Sequence, residues 1–102
     1  MTSTFQTFPG KLTIVFSGDL IGGADALKFS VDLRNALTDK IFELIEADAS
    51  SVGFVNSSGL GMLIAARQAA QEHGAAFTLK SPGSQLRQLL SITKLTEILG
   101  VV

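Results

Sequence analysis

The chain predicts an α/β sandwich: a four- to five-stranded, mostly parallel or mixed sheet packed against about four helices. Three observations carry this. Short runs of β-branched and aromatic residues alternate with stretches of helical period. Gly, Pro, Asn, Asp and Ser punctuate the boundaries between them. The 102 residues, 46% apolar and 17% charged, suit one folded domain, 1–102, rather than a disordered chain.

The elements follow in order. Residues 11–17 (Lys-Leu-Thr-Ile-Val-Phe-Ser) read as a strand, and residues 4–8 as a shorter one turned onto it by Pro9-Gly10. Residues 18–23 form a loop. From Ala24 the period changes, and Ala26, Phe29, Leu33, Ala36 and Leu37 mark a helix ending near Asp39. Residues 41–47 are apolar enough to extend that helix, but they stop at Asp48 and read as a buried strand. Ser50-Ser51 is read as a turn, and residues 52–55 as a short extended piece. A helix then runs from about Ser58 to Glu72, with Leu60, Leu63, Ile64 and several alanines on its packing face. His73-Gly74 is its stop. Residues 75–80 are a further strand. Ser81-Pro82 reads as a helix start, a capping hydroxyl followed by proline. Leu86, Leu89 and Leu90 give that helix an apolar edge. Residues 93–99 suggest one more short helix, and residues 100–102 a stub of strand.

Composition excludes several classes. Net charge is −1 and the eight Lys and Arg are scattered, so nothing points to nucleic acid. There is no Cys and one histidine, His73, which leaves no thiolate or His-rich metal site. The first residues lack the basic and long apolar regions of a signal peptide, and no run approaches the ~20 apolar residues of a membrane span. The expectation is a cytoplasmic protein without membrane insertion and without a cofactor.

The stretch that carries chemistry is Asn56-Ser57-Ser58-Gly59. An apolar strand-like run ends there and a helix begins. A helix N-terminus presents unpaired N–H groups and a partial positive charge, a suitable place for a phosphate. Strand-to-loop junctions in such sheets also collect functional groups. Asp19, Asp48 and residues 56–58 all follow strands and could converge on one edge. The plain alternative is that Ser57 or Ser58 only caps the helix. Gly59 and Gly61 make no more than Gly-x-Gly, with Ile64 where a dinucleotide fingerprint needs its third glycine. A hydrolase elbow, Gly-x-Ser-x-Gly, fails because Val55 or Asn56 stands at its first glycine.

Asp48-Ala-Ser-Ser-Val-Gly-Phe-Val-Asn-Ser-Ser-Gly-Leu-Gly61 resembles the signature of STAS domains, the sulfate-transporter and anti-sigma-factor-antagonist family. Gly18-Asp19-Leu20 and Ser81-Pro82 resemble two further family segments. The resemblance implies a non-enzymatic binding module. Unphosphorylated, it would bind an anti-sigma factor, a serine kinase of GHKL type, and so release a sigma factor for transcription. The kinase would phosphorylate Ser57, with Ser58 the second choice, and a serine phosphatase would reverse it. The resemblance makes Asp19, Asp48, Asn56, Ser57, Ser58, Gly59, Leu60 and Met62 the expected partner-binding residues. Asn56 and Ile21 stand where the family carries aspartates. That departure keeps a second expectation open, a STAS subunit of a lipid-transport or signalling complex that is never phosphorylated.

Overall fold

The computed structural model describes residues 1–102 and has the element order β1 (Thr2–Phe8), β2 (Lys11–Leu20), α1 (Ala24–Leu37), β3 (Leu44–Val55), α2 (Ser57–Glu72), β4 (Ala76–Lys80) and α3 (Ser84–Ile92). The strands form one sheet in the order β1-β2-β3-β4. β1 is antiparallel to β2, and the two following pairs are parallel. The sheet is therefore mixed and four-stranded, with three helices rather than about four.

Strand periodicity sorts the residues between two faces. Leu12 lies beside Ile45, Ile14 beside Ala47, and Ala47 beside Leu79; all are buried. They join Phe29, Leu33, Leu63, Leu86 and Leu90 from the helices in one core. The alternate residues make a polar face: Gln6 opposite Thr13, Thr13 beside Glu46, Asp48 beside Lys80. On the core face Phe29 stacks on Phe5 at 6.1 Å and tilts onto Phe16 at 5.1 Å, which fixes α1 over β1 and β2.

Several local expectations change. The strand expected from Ile41 starts at Leu44. Ile41 is exposed, and the amides of Glu43 and Leu44 both donate to the Gly10 carbonyl at 2.8 and 3.2 Å. The turn at the β1–β2 hairpin thus sets where β3 begins. Ser50-Ser51 is not a turn. It is absorbed in β3, where the step from Asp48 to Ser51 matches only Val15 to Ser17 on β2, a bulge. The loop expected from Gly18 starts later, because β2 runs on to Leu20.

Ser81-Pro82 does not start α3. Ser81 sits at φ +55 and its amide donates to Val102, while Gly83 is the helix N-cap. Residues 93–99 form turns, not a helix. Lys94 adopts φ +59 and donates to Ser91, and Leu95 donates to Leu90; this left-handed closure ends α3. Gly74 ends α2 in the same way, through bonds from Gly74 to Gln71 and Ala75 to Ala70. The expected fifth strand is reduced to one parallel bridge between Leu79 and Val101.

Phe29, 2% exposed, joins α1 to two strands. Phe29→Ala is expected to cost about 3–5 kcal/mol. Urea unfolding would show it as a lower midpoint at an unchanged slope.

Candidate functional site

The site lies where β2 and β3 end side by side, with Leu20 paired to Val55. The chain turns at Asn56 into α2, and every polar group of Asn56 is used there. Its amide donates to the Leu20 carbonyl at 3.2 Å, and its own carbonyl accepts from Leu60 at 2.8 Å. The side-chain oxygen accepts from the Gly59 amide at 2.8 Å. The side-chain nitrogen donates to the Ile21 carbonyl at 3.4 Å. Asn56 is the cap of α2, and it also ties the helix to the loop after β2.

Two glycines let these segments close together. A Cβ on Gly59 would run into the Leu20 carbonyl, so only glycine admits this approach of helix to strand end. Gly22, at φ +83, lies against Ser58: a Cβ there would be 2.7 Å from the Ser58 Cβ. Ser57 is exposed at the first helical position and takes no part in the cap. Ser58 is exposed beside Gly22. The first turn of α2 contains no acidic residue, so the N-terminal field is not neutralised by its own helix.

Asp19 belongs to this corner, but as a brace. Its Oδ1 accepts from the Phe54 amide at 2.8 Å. That bond crosses a second bulge, where Val52 to Val55 on β3 spans only Gly18 to Leu20 on β2. Gly53 leaves the space: a Cβ there would lie 2.5 Å from Asp19 Oδ1. Asp48 stands apart. It precedes Asn56 by most of a strand, at most roughly 26 Å at ~3.3 Å per residue. Its Oδ1 accepts from the Ser50 amide at 2.9 Å within the first bulge. The Ser50 hydroxyl and amide, helped by the charge of Lys80, hold the Asp48 carboxyl below its ordinary value of 3.8 against the opposing effect of burial.

Leu60 and Met62 were expected to contact a partner, but both are buried, at 5% and 4% exposure. Leu60 is in the core. Met62 lies in a groove of about 630 Å³ between α1 and α2 that runs from Ser58 past Ala65 and Ala69 to His73. Ile21 and Phe54 instead put apolar surface at the corner, each about half exposed.

One residue at this corner escaped the sequence reading. β4 pairs with β3 only from Leu44 to Asp48, which leaves residues 49–55 with no strand on that side. The Gln85 carboxamide takes that place. Its oxygen accepts from the Val55 amide at 3.0 Å and its nitrogen donates to the Val55 carbonyl at 2.9 Å. A polar residue in the first turn of α3 was the available signal, but nothing in the sequence shows that β3 outruns its neighbour.

A family model described as "Mlab, STAS domain" matches residues 4–100. Solved structures agree in fold. A structure of a putative anti-sigma factor antagonist from Thermotoga maritima has a TM-score of 0.83 at 20% identity, covering 97% of this chain and 84% of that one. The Bacillus cell fate determinant SpoIIAA in its phosphorylated form has 0.74 at 14%, covering 99% and 91%. The murine anion transporter Slc26a9 has 0.73 at 19%, covering 90% of this chain and 15% of the transporter. No helix here is long and apolar enough to cross a membrane.

Gln85→Ala leaves the Val55 amide and carbonyl without partners and is expected to cost about 1–3 kcal/mol. Hydrogen exchange at Val55 and Asn56 should speed up by more than exchange in the middle of β2. Asp48 has a lowered folded-state pKa, so its contribution is present above about 3.8 and is lost as pH falls from there through the lower folded value. Asp48→Asn should flatten the acid limb of a urea-midpoint profile below about pH 4 and leave its shape above pH 6 unchanged.

Proposed function

The chain belongs to the STAS domain family, and on that premise we propose that it is an anti-sigma factor antagonist controlled by phosphorylation of Ser57. The observation that carries this reading is the division of labour at the start of α2. Asn56 caps the helix, so the exposed Ser57 hydroxyl has no capping task. The plain alternative, a serine present only as a cap, loses its ground.

A phosphate on Ser57 would add about −1.5 to −2 charges at pH 7. The α2 dipole and the N–H groups of its first turn favour charge at that spot, so the domain need not unfold to accept it. The exposed side chains of Ile21 and Phe54, just after β2 and near the end of β3, supply apolar surface at the same end of the sheet. An unphosphorylated partner face would bury them. The phosphate would then bring unpaired charge into that contact, and desolvation and repulsion would release the partner. The partner in this reading is an anti-sigma factor serine kinase of GHKL type in the cytoplasm, with a serine phosphatase to reset the site. The domain contributes no catalysis.

Asn56 and Ile21 fit one another in a way that an aspartate at 56 would not. The Asn56 side-chain N–H faces the Ile21 carbonyl, and a carboxylate would set two oxygens together there. The same neutral pair supports the second reading, a STAS subunit of a lipid-transport or signalling complex that is never phosphorylated. The placement of a similar domain within a much larger transporter supports it as well.

The experiment is intact-mass spectrometry with peptide mapping on the protein purified from its own host under several growth conditions. One phosphate on Ser57 is expected. On Ser58 it would keep the switch and move the site; none under any condition would transfer support to the second reading. Against the cognate kinase, Ser57→Asp should bind about tenfold or more weakly, ~1.4 kcal/mol. Ser57→Ala should bind and resist release by ATP, and equal binding by the two variants would contradict the proposal.

A further inference from the structure

The two edges of the sheet are treated differently. The C-terminal end of β4 is covered on its outer side by residues 100–102: Leu79 donates to Gly100 at 3.1 Å, Val102 to Leu79 at 3.0 Å, and Ser81 to Val102 at 3.3 Å. β1 has no strand on its outer side. Natural sheets protect such an edge with lysine, proline, a bulge or a short strand. β1 itself has none of these; the nearest lysine, Lys11 of β2, lies over the ring of Phe8 at its far end, 5.1 Å from the centroid. It is seven residues long, Thr-Ser-Thr-Phe-Gln-Thr-Phe, without charge or proline. Its ladder with β2 runs without a shift from Thr2–Ser17 to Phe8–Lys11. Thr2, Thr4 and Gln6 are exposed.

We infer that β1 is a self-association edge, on which a second copy of this chain pairs β1 against β1, antiparallel, about a two-fold axis at Phe5. The strand's own sequence selects that occupant. In this register Thr4 faces the partner's Gln6, Ser3 faces the partner's Thr7, and Thr2 faces the partner's Phe8. Hydroxyl, amide and aromatic groups then meet along the strand, and charge lies only at its ends, where Lys11 sits over Phe8 and the Met1 amino group is paired with Asp25. A charged peptide would find nothing on β1 to pair its charges.

β1 is also held ready from behind. Phe5 stacks on Phe29, and the Met1 amino group pairs with Asp25 at 3.3 Å. Pairing therefore adds a neighbour to a strand already in place. A β1–β1 contact about a two-fold axis is isologous, and it closes at two copies rather than growing into a filament. The edge flanks β2 on the side away from β3, so it is separate from Ser57. A strand of this length spans about 23 Å. Such a narrow contact falls in the class of small exchanging interfaces, below about 1,200 Å². The dimer forms at high concentration and dissolves on dilution.

Sedimentation of the full chain from about 1 μM to about 1 mM should show mass rising from monomer toward dimer and no further. A monomer throughout, or growth past the dimer, would overturn the inference. The double variant Thr4→Lys with Gln6→Lys places like charges opposite each other at exposed positions and should stay monomeric; dimerisation equal to the unaltered chain would overturn it. Mixed with Thr4→Glu/Gln6→Glu, the lysine variant should recover a heterodimer that neither variant forms alone. Hydrogen exchange on the unaltered chain gives a reading free of any folding defect. β1 amides should gain protection with concentration while β4 amides do not, and a gain confined to other elements would sink the β1 assignment.

Discussion

The structure depends on how closely the start of α2 sits against the end of β2. Gly59 makes that approach possible, since any side chain would displace the Leu20 carbonyl. Once the helix is there, the same carbonyl can take the Asn56 amide, and the Asn56 side chain can reach both Gly59 and Ile21. Helix start, strand end and following loop are then one hydrogen-bonded unit. Ser57 is placed by it without being used by it. A side chain free of structural work, between a cap and a glycine that are both tied down, can be modified or contacted without loosening the fold.

The second constraint is the length of β3. Its twelve residues extend well beyond β4, and it matches β2 only through two bulges. An extended strand with bare backbone groups is costly wherever water is excluded. Three side chains answer this, each at a different place. Asp48 takes the Ser50 amide in the first bulge, Asp19 takes the Phe54 amide at the second, and Gln85 stands in for a missing strand at Val55. The two carboxylates that sequence reasoning sent to a partner surface are thus occupied with the backbone of β3.

What the sequence made legible follows from the range of the forces involved. The three principal helices, the pairing of β1 with β2 across Pro9-Gly10 and the Gly74 stop rest on periodicity and local turn chemistry, and all were readable. The motif at residues 56–59 was readable as a strand-to-helix junction for the same reason. The expected turn at Ser50-Ser51 failed because a bulge uses turn-forming residues without reversing the chain. Ser81-Pro82 failed because its amide is drawn to Val102, a contact no local pattern encodes. Asn56 could be read as a cap, but its second bond, to Ile21, joins residues 35 apart. Gln85 and the burial of Met62 likewise depend on neighbours distant in sequence.

Every strand in this sheet lies next to its predecessor in the chain. A ribosome delivering the polypeptide from its N-terminus can therefore add each strand to one already laid down, without holding a gap open for a later insertion. The outer side of β4 is the exception. It is closed by residues 100–102, which emerge only after α3 and the turns beyond it. Until then the nascent sheet has two bare sides instead of one, so the interval in which it is most open to wrong pairing lasts until residues 100–102 reach β4.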